Sequence, residues 1–156
     1  MNKFILFILI FAFHFCDAQK QYSKFRKTFH GLTCSDTAAV KHSIENIPQL
    51  ENWIKNHPKD YGAYYDVAMC YFTLSTADSL NQKKFADKCI ENNNRYVLLA
   101  PSKKKYSGYW NNATIKCWLK NCTGAIEDLN KSKKIFHYNK KWWDNKSEEE
   151  IRKRCA

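Results

Sequence analysis

From Tyr61 to Leu74 the residues Tyr61, Tyr64, Tyr65, Val67, Ala68, Tyr71, Phe72 and Leu74 fall at three- and four-residue spacing. That pattern lines one wide face of an amphipathic α-helix. It recurs downstream, where Phe85, Ala86, Cys89, Ile90, Asn93, Val97 and Ala100 share a face and Pro101 ends the helix. Further helices are expected over about 106–120 and 124–136. The whole chain holds only four glycines and three prolines, too few for a fold with many tight turns. Its 15% aromatic content separates it from disordered chains. The expected fold is all-α, one unit with a real core.

Before Tyr61 the chain offers Thr33, Cys34, Ser35 and Asp36 as N-caps to a helix carrying Ala38, Ala39, His42 and Ile44. Pro48 is expected in the first turn of a separate helix, where its missing donor costs nothing. That helix carries Leu50, Trp53 and Ile54 and stops before His57-Pro58. Near the C-terminus Ser147-Glu148-Glu149-Glu150 reads as a capping box. The four-apart pairs Glu148/Arg152, Glu149/Lys153 and Glu150/Arg154 support a short helix there.

The N-terminus reads as a secretory leader: Lys3, an apolar run from Phe4 to Cys16, then Asp17-Ala18-Gln19. The run is shorter than the roughly 20 residues a membrane span needs. Cleavage is expected after Ala18. Lipidation at Cys16 would want a small residue before it, and Phe15 stands there instead. The resulting organisation is a signal peptide at 1–18, an arm at 19–33, a helical domain at 34–138 and a C-terminal capping helix at 139–156. A secreted or periplasmic protein is expected. Without Cys16 six cysteines remain, Cys34, Cys70, Cys89, Cys117, Cys122 and Cys155. In an exported chain they read as up to three disulfides of open connectivity. No Cys-x-x-Cys occurs and no histidine stands at zinc spacing, so neither a metal nor a cofactor is expected.

The chain also repeats itself. Tyr64-Tyr65-Asp66-Val67-Ala68 aligns with Tyr109-Trp110-Asn111-Asn112-Ala113, each after a proline, Pro58 or Pro101, and each opening a helix followed by a second one. The small residue lets two helices of a hairpin cross closely. In this arrangement the sequence resembles the tetratricopeptide repeat family. Tyr64, Val67, Ala68 and Tyr71 match the aromatic, large, small and aromatic places of that family's first helix; Tyr109 and Ala113 match in the second unit. Ala125, Leu129 and Ser132 fall on the small, large and small places of the second helix. The chain departs from the family in about nine extra residues around Ser75–Lys83, against a period of about 34. It departs also at Lys116, where an aromatic is expected, and at His137, near the closing proline.

The resemblance implies tandem antiparallel hairpins, here disulfide-braced, whose first helices line a concave face for a peptide or protein. Carried onto this chain, that face holds Asp66, Met69, Asn111, Asn112 and Lys116. Asparagine amides there clamp a peptide backbone from donor and acceptor sides. The charge of +11 offers an alternative. Lysine clusters, Lys103, Lys104 and Lys105 with Lys131, Lys133 and Lys134, would draw an anionic surface, a polysaccharide or an acidic protein, as an inhibitor or immunity protein does. Lys140-Lys141 and Arg152-Lys153-Arg154 add to that charge. Trp142 and Trp143 are expected to pack the last helix onto the hairpins.

No nucleic-acid motif is present and no nucleic-acid partner is expected. No Gly-x-Ser-x-Gly, His-Glu-x-x-His or phosphate-binding glycine loop occurs, and no enzyme is expected. Four sequons, at Asn112, Asn121, Asn130 and Asn145, follow from an asparagine-rich composition.

Overall fold

The structure is a computed structural model and describes residues 37–137 and 145–156. The expected leader and arm, Cys34, Lys140, Lys141, Trp142 and Trp143 lie outside these residues. Among the described residues the protein is all-helical. α1 spans Thr37–Asn56, α2 Tyr61–Ala77, α3 Gln82–Leu99, α4 Lys105–Trp118, α5 Cys122–His137 and α6 Asn145–Arg154, with a 3-10 turn at Ser102–Lys104.

Pro48 does not start a helix; it lies inside α1. Ala39, Ser43, Ile47 and Leu50 form the buried face of this continuous helix, and Pro48 stands on its exposed side. Proline cannot donate to the carbonyl one turn back, that of Ile44, and Ile44 lies on the exposed side of the helix. Burial of Ile47 and Leu50 on either side offsets the local cost.

α2 is capped by Asp60, whose Oδ1 accepts from the Gly62 and Ala63 amides at 3.0 and 3.2 Å. Asp78 organises the turn into α3 by accepting from the Leu80 and Asn81 amides. The extra residues of the first unit lengthen its helices. α2 and α3 have 17 and 18 residues, whereas α4 and α5 have 14 and 16. α6 begins two residues ahead of Ser147, so Ser147 is helical instead of capping.

Each helix packs on the next in the chain, and α6 covers α4 and α5. Cross-helix pairs give the directions. Tyr65 meets Tyr96 and Tyr71 meets Phe85, so α2 and α3 are antiparallel. Asn112 meets Asn94 and Ser107 meets Tyr96, so α3 and α4 are antiparallel. Tyr106 meets Phe136 and Lys116 meets Asp128, so α4 and α5 are antiparallel. α2 and α4 therefore run parallel, and side chains join them at both ends: Tyr61 to Lys104 and Phe72 to Trp118.

The core comes in three clusters in series. Ile47, Leu50, Val67, Cys70 and Leu74 join α1 to α2. Ala68, Ala86, Cys89 and Ile115 join α2, α3 and α4. Ala113, Cys117, Ala125, Leu129 and Ile151 join α4, α5 and α6. The small residues of the repeat, Ala68, Ala113, Ala125 and Ser132, have no exposed surface. Gly108 adds a close approach of its own, since a Cβ there would lie 2.7 Å from Tyr96 Cδ1 and from Val97 Cγ2.

No disulfide is present among the described cysteines: Cys70, Cys89, Cys117, Cys122 and Cys155 are free thiols. Cys70 and Cys89 serve as small apolar side chains in two different clusters. Cys117 and Cys155 meet where α6 docks.

Candidate functional site

Parallel neighbours in a helical stack present one edge each to the same side of the molecule. Here α2 and α4 do so, and three contacts mark the seam between them. At one end Lys104 Nζ donates to the Tyr61 hydroxyl at 3.1 Å and stands 5.3 Å over its ring. In the middle Asn111 Nδ2 donates to Met69 Sδ at 3.2 Å. At the other end the Phe72 and Trp118 rings are 5.2 Å apart. Tyr61, Tyr65, Met69, Phe72, Asn111 and Trp118 are all half-buried, with part of each side chain open to solvent.

Tyr65 ties this seam to α3. Its ring lies 4.9 Å from that of Tyr96. Burial raises the pKa of Tyr65, so it remains a neutral donor and acceptor at neutral pH. Tyr96 is anchored in turn, its hydroxyl donating to the Lys104 carbonyl at 2.6 Å and lying 3.0 Å from the Ser107 hydroxyl. The surface is aromatic and amide-bearing, on side chains already held by neighbours. Such a surface stacks on apolar side chains and hydrogen-bonds peptide groups without ordering first.

Of the five residues expected on the partner-binding face, the structure brings Met69 and Asn111 together. Asn112 is 1% exposed, turned toward α3, and its Nδ2 donates to Asn94 Oδ1 at 2.9 Å. Asp66 is also buried. Lys116 is held by Asp128 at 2.6 Å, across α4 and α5. One step along a helix turns a side chain about a quarter of the way round, so neighbours such as Asn111 and Asn112 reach different surroundings. The expectation missed Tyr65, Tyr61 and the Lys104 contact. Their signal lay in the repeated aromatics, which read as helix-face residues alone.

The two lysine runs do come together. The turn at Ser102–Lys104 packs on α4 and α5, and Ser132 Oγ donates to the Tyr106 carbonyl at 2.8 Å. Within the patch Lys131 pairs with Asp128 and lies over the Tyr109 ring, while Lys133 meets both oxygens of Glu148 at 2.9 Å. Part of this positive charge is thus met inside the protein. Asn121 and Asn130 are exposed, whereas the sequon asparagine Asn112 is closed to any modifying enzyme in the folded chain.

Among the described residues no group of three or more His, Cys, Asp and Glu side chains is placed to hold a metal ion. Among the same residues no helix is long and apolar enough to cross a membrane. Compared with known proteins, the chain matches no family model, no curated protein and no solved structure.

Proposed function

We propose that this chain is an exported, non-catalytic interaction module that binds a peptide or protein partner along the α2/α4 seam, as tetratricopeptide-like hairpins do on their concave face. The observation that carries this reading is the parallel adjacency of α2 and α4, with Met69 and Asn111 in contact between them. Clusters joined in series and fully buried small residues at the crossings lend it further support. Export rests on the leader at 1–18 and is tested by sequencing the N-terminus of protein recovered outside the cytoplasm; a chain still starting at Met1 would sink it.

The test of the binding surface is a capture experiment with the protein at low and at high salt, beside a Met69→Ala/Asn111→Ala double variant. A partner kept at high salt and lost from the variant supports the seam. A partner indifferent to the variant rejects it.

A second reading is favoured by the meeting of the two lysine runs at Ser132 and Tyr106. It makes Lys103, Lys104, Lys105, Lys131, Lys133 and Lys134 a site for an anionic surface, a polysaccharide or an acidic protein. Binding of that kind falls steeply between low and moderate salt, because screening acts on exposed charges.

A further inference from the structure

Two of the five described cysteines meet at one place, and a third begins the helix between theirs in the chain. Cys117 lies in the last turn of α4, Cys122 is the first residue of α5, and Cys155 follows the last residue of α6. Cys155 Sγ is 3.7 Å from Cys117 Sγ. The backbone between α4 and α5 is folded back to allow this. Lys120 takes a left-handed φ of 59°, and the Lys120 and Asn121 amides return to the carbonyls of Cys117 and Lys116. Cys70 and Cys89 have no such company; each sits in an apolar cluster.

A disulfide needs its sulfurs about 2.05 Å apart. Cys155 stands beyond the end of α6, outside the regular helix, so closing the remaining gap of about 1.7 Å asks little of the fold.

We propose that Cys155 is a redox-active thiol that latches the C-terminal helix to the body of the protein by a disulfide to Cys117. The oxidant is a low-molecular-weight disulfide. The Cys155 thiolate attacks one of its sulfurs, forms a mixed disulfide and releases one thiolate. Cys117, having lost its proton to solvent, attacks Cys155 Sγ and expels the second thiolate. Two protein thiols lose two protons and two electrons, and the reagent disulfide is reduced to two thiols. The latched bond crosses the cluster in which Ile151 packs on Ala113, Ala125 and Leu129, so it fixes the element that covers this core.

The full chain, reduced and then exposed to oxidised glutathione under native conditions, tests this by peptide mapping and thermal melting. The expected product is one Cys117–Cys155 link, with a Tm several degrees higher that returns on reduction. Cys155→Ser forms no link among the three positions. Cys122→Ser forms the same Cys117–Cys155 link, since Cys122 takes no part in the exchange. A wild-type link to Cys34, Cys70 or Cys89, or no link, overturns the proposal. So does a wild-type link to Cys122, a Cys117–Cys122 bond in Cys155→Ser, or loss of the Cys117–Cys155 link in Cys122→Ser.

Discussion

Two thiols show how strongly position sets the chemistry of a residue in this protein. Burial pushes the Cys70 thiol up to about 12, and it lifts Cys89 well above the usual thiol range. In the unfolded chain both ionise near pH 9, about the ordinary value. Below that pH their contribution to stability is complete. Above it the unfolded chain sheds protons that the folded chain keeps, so stability is lost as pH rises toward and through 12. Each thiol can remove up to about 1.4 kcal/mol per pH unit in that window. Urea unfolding of the reduced protein at pH 8 and pH 10.5 should show the midpoint falling by the equivalent of about 4 kcal/mol. Equal midpoints would mean that the two thiols are accessible. Asp60 is a second position with more than one duty, since Oδ1 caps α2 while Oδ2 accepts from Trp53 Nε1 at 3.0 Å. Asp60→Ala should cost about 1–2 kcal/mol and shift Trp53 fluorescence; a neutral variant would deny the cap. The start of α2 was legible in the sequence, because its apolar face begins at Tyr61, but the cap at Asp60 was not read from it. The split fates of Asn111 and Asn112 were not: identical side chains, one helix step apart, are told apart only by helix phase against a neighbour.

Helices were legible where one apolar face ran unbroken, as from Tyr61 to Leu74 and from Phe85 to Ala100. Reading failed where a strong local signal met a stronger tertiary one. Pro48 reads as a helix start, yet Ile47 and Leu50 are buried on either side of it and hold α1 continuous. Because the proline occupies an exposed helix interior, Pro48→Ala restores a donor for the Ile44 carbonyl. It should stabilise the protein by about 1–3 kcal/mol in denaturant unfolding, and a destabilised variant would contradict a continuous α1. Gly108 was equally silent in sequence. Its partner Tyr96 is anchored by the Lys104 carbonyl and Ser107, so it cannot yield to an added Cβ. Gly108→Ala gains roughly 1 kcal/mol of helix propensity and meets overpacking that costs about 1–3 kcal/mol. A net loss of about 1 kcal/mol is expected at the α3/α4 crossing. A gain in stability would show that α3 and α4 cross less closely.

At the scale of the molecule the three clusters lie in sequence order, each sharing at least one helix with the next. A body built this way transmits little from one end to the other, because each cluster is closed by its immediate neighbours. The repeat made this serial order legible, whereas the manner in which α6 is held was not. Ile151 fills the last cluster, while Glu148, 7% exposed, is bound by Lys133 and by Arg152 Nε at 2.9 Å. Arg152 reaches on to Asn130 Oδ1 at 3.0 Å. The sequence offered Glu148 and Arg152 as an ordinary i,i+4 pair; the docking of α6 buries Glu148 and makes the pair a clamp on α5. A chain ending at residue 144 should therefore lose about 3 kcal/mol, chiefly the burial of Ile151 and the groups it covers. It should expose apolar surface that binds a hydrophobic dye. Hydrogen exchange is the decisive readout, because the serial order predicts where the loss falls. Amides of α4 and α5 should exchange markedly faster, while those of α1 and α2 keep their protection. A uniform loss from α1 to α5 would instead make the fold one cooperative bundle, and the stacked-hairpin reading of the α2/α4 seam would fall with it.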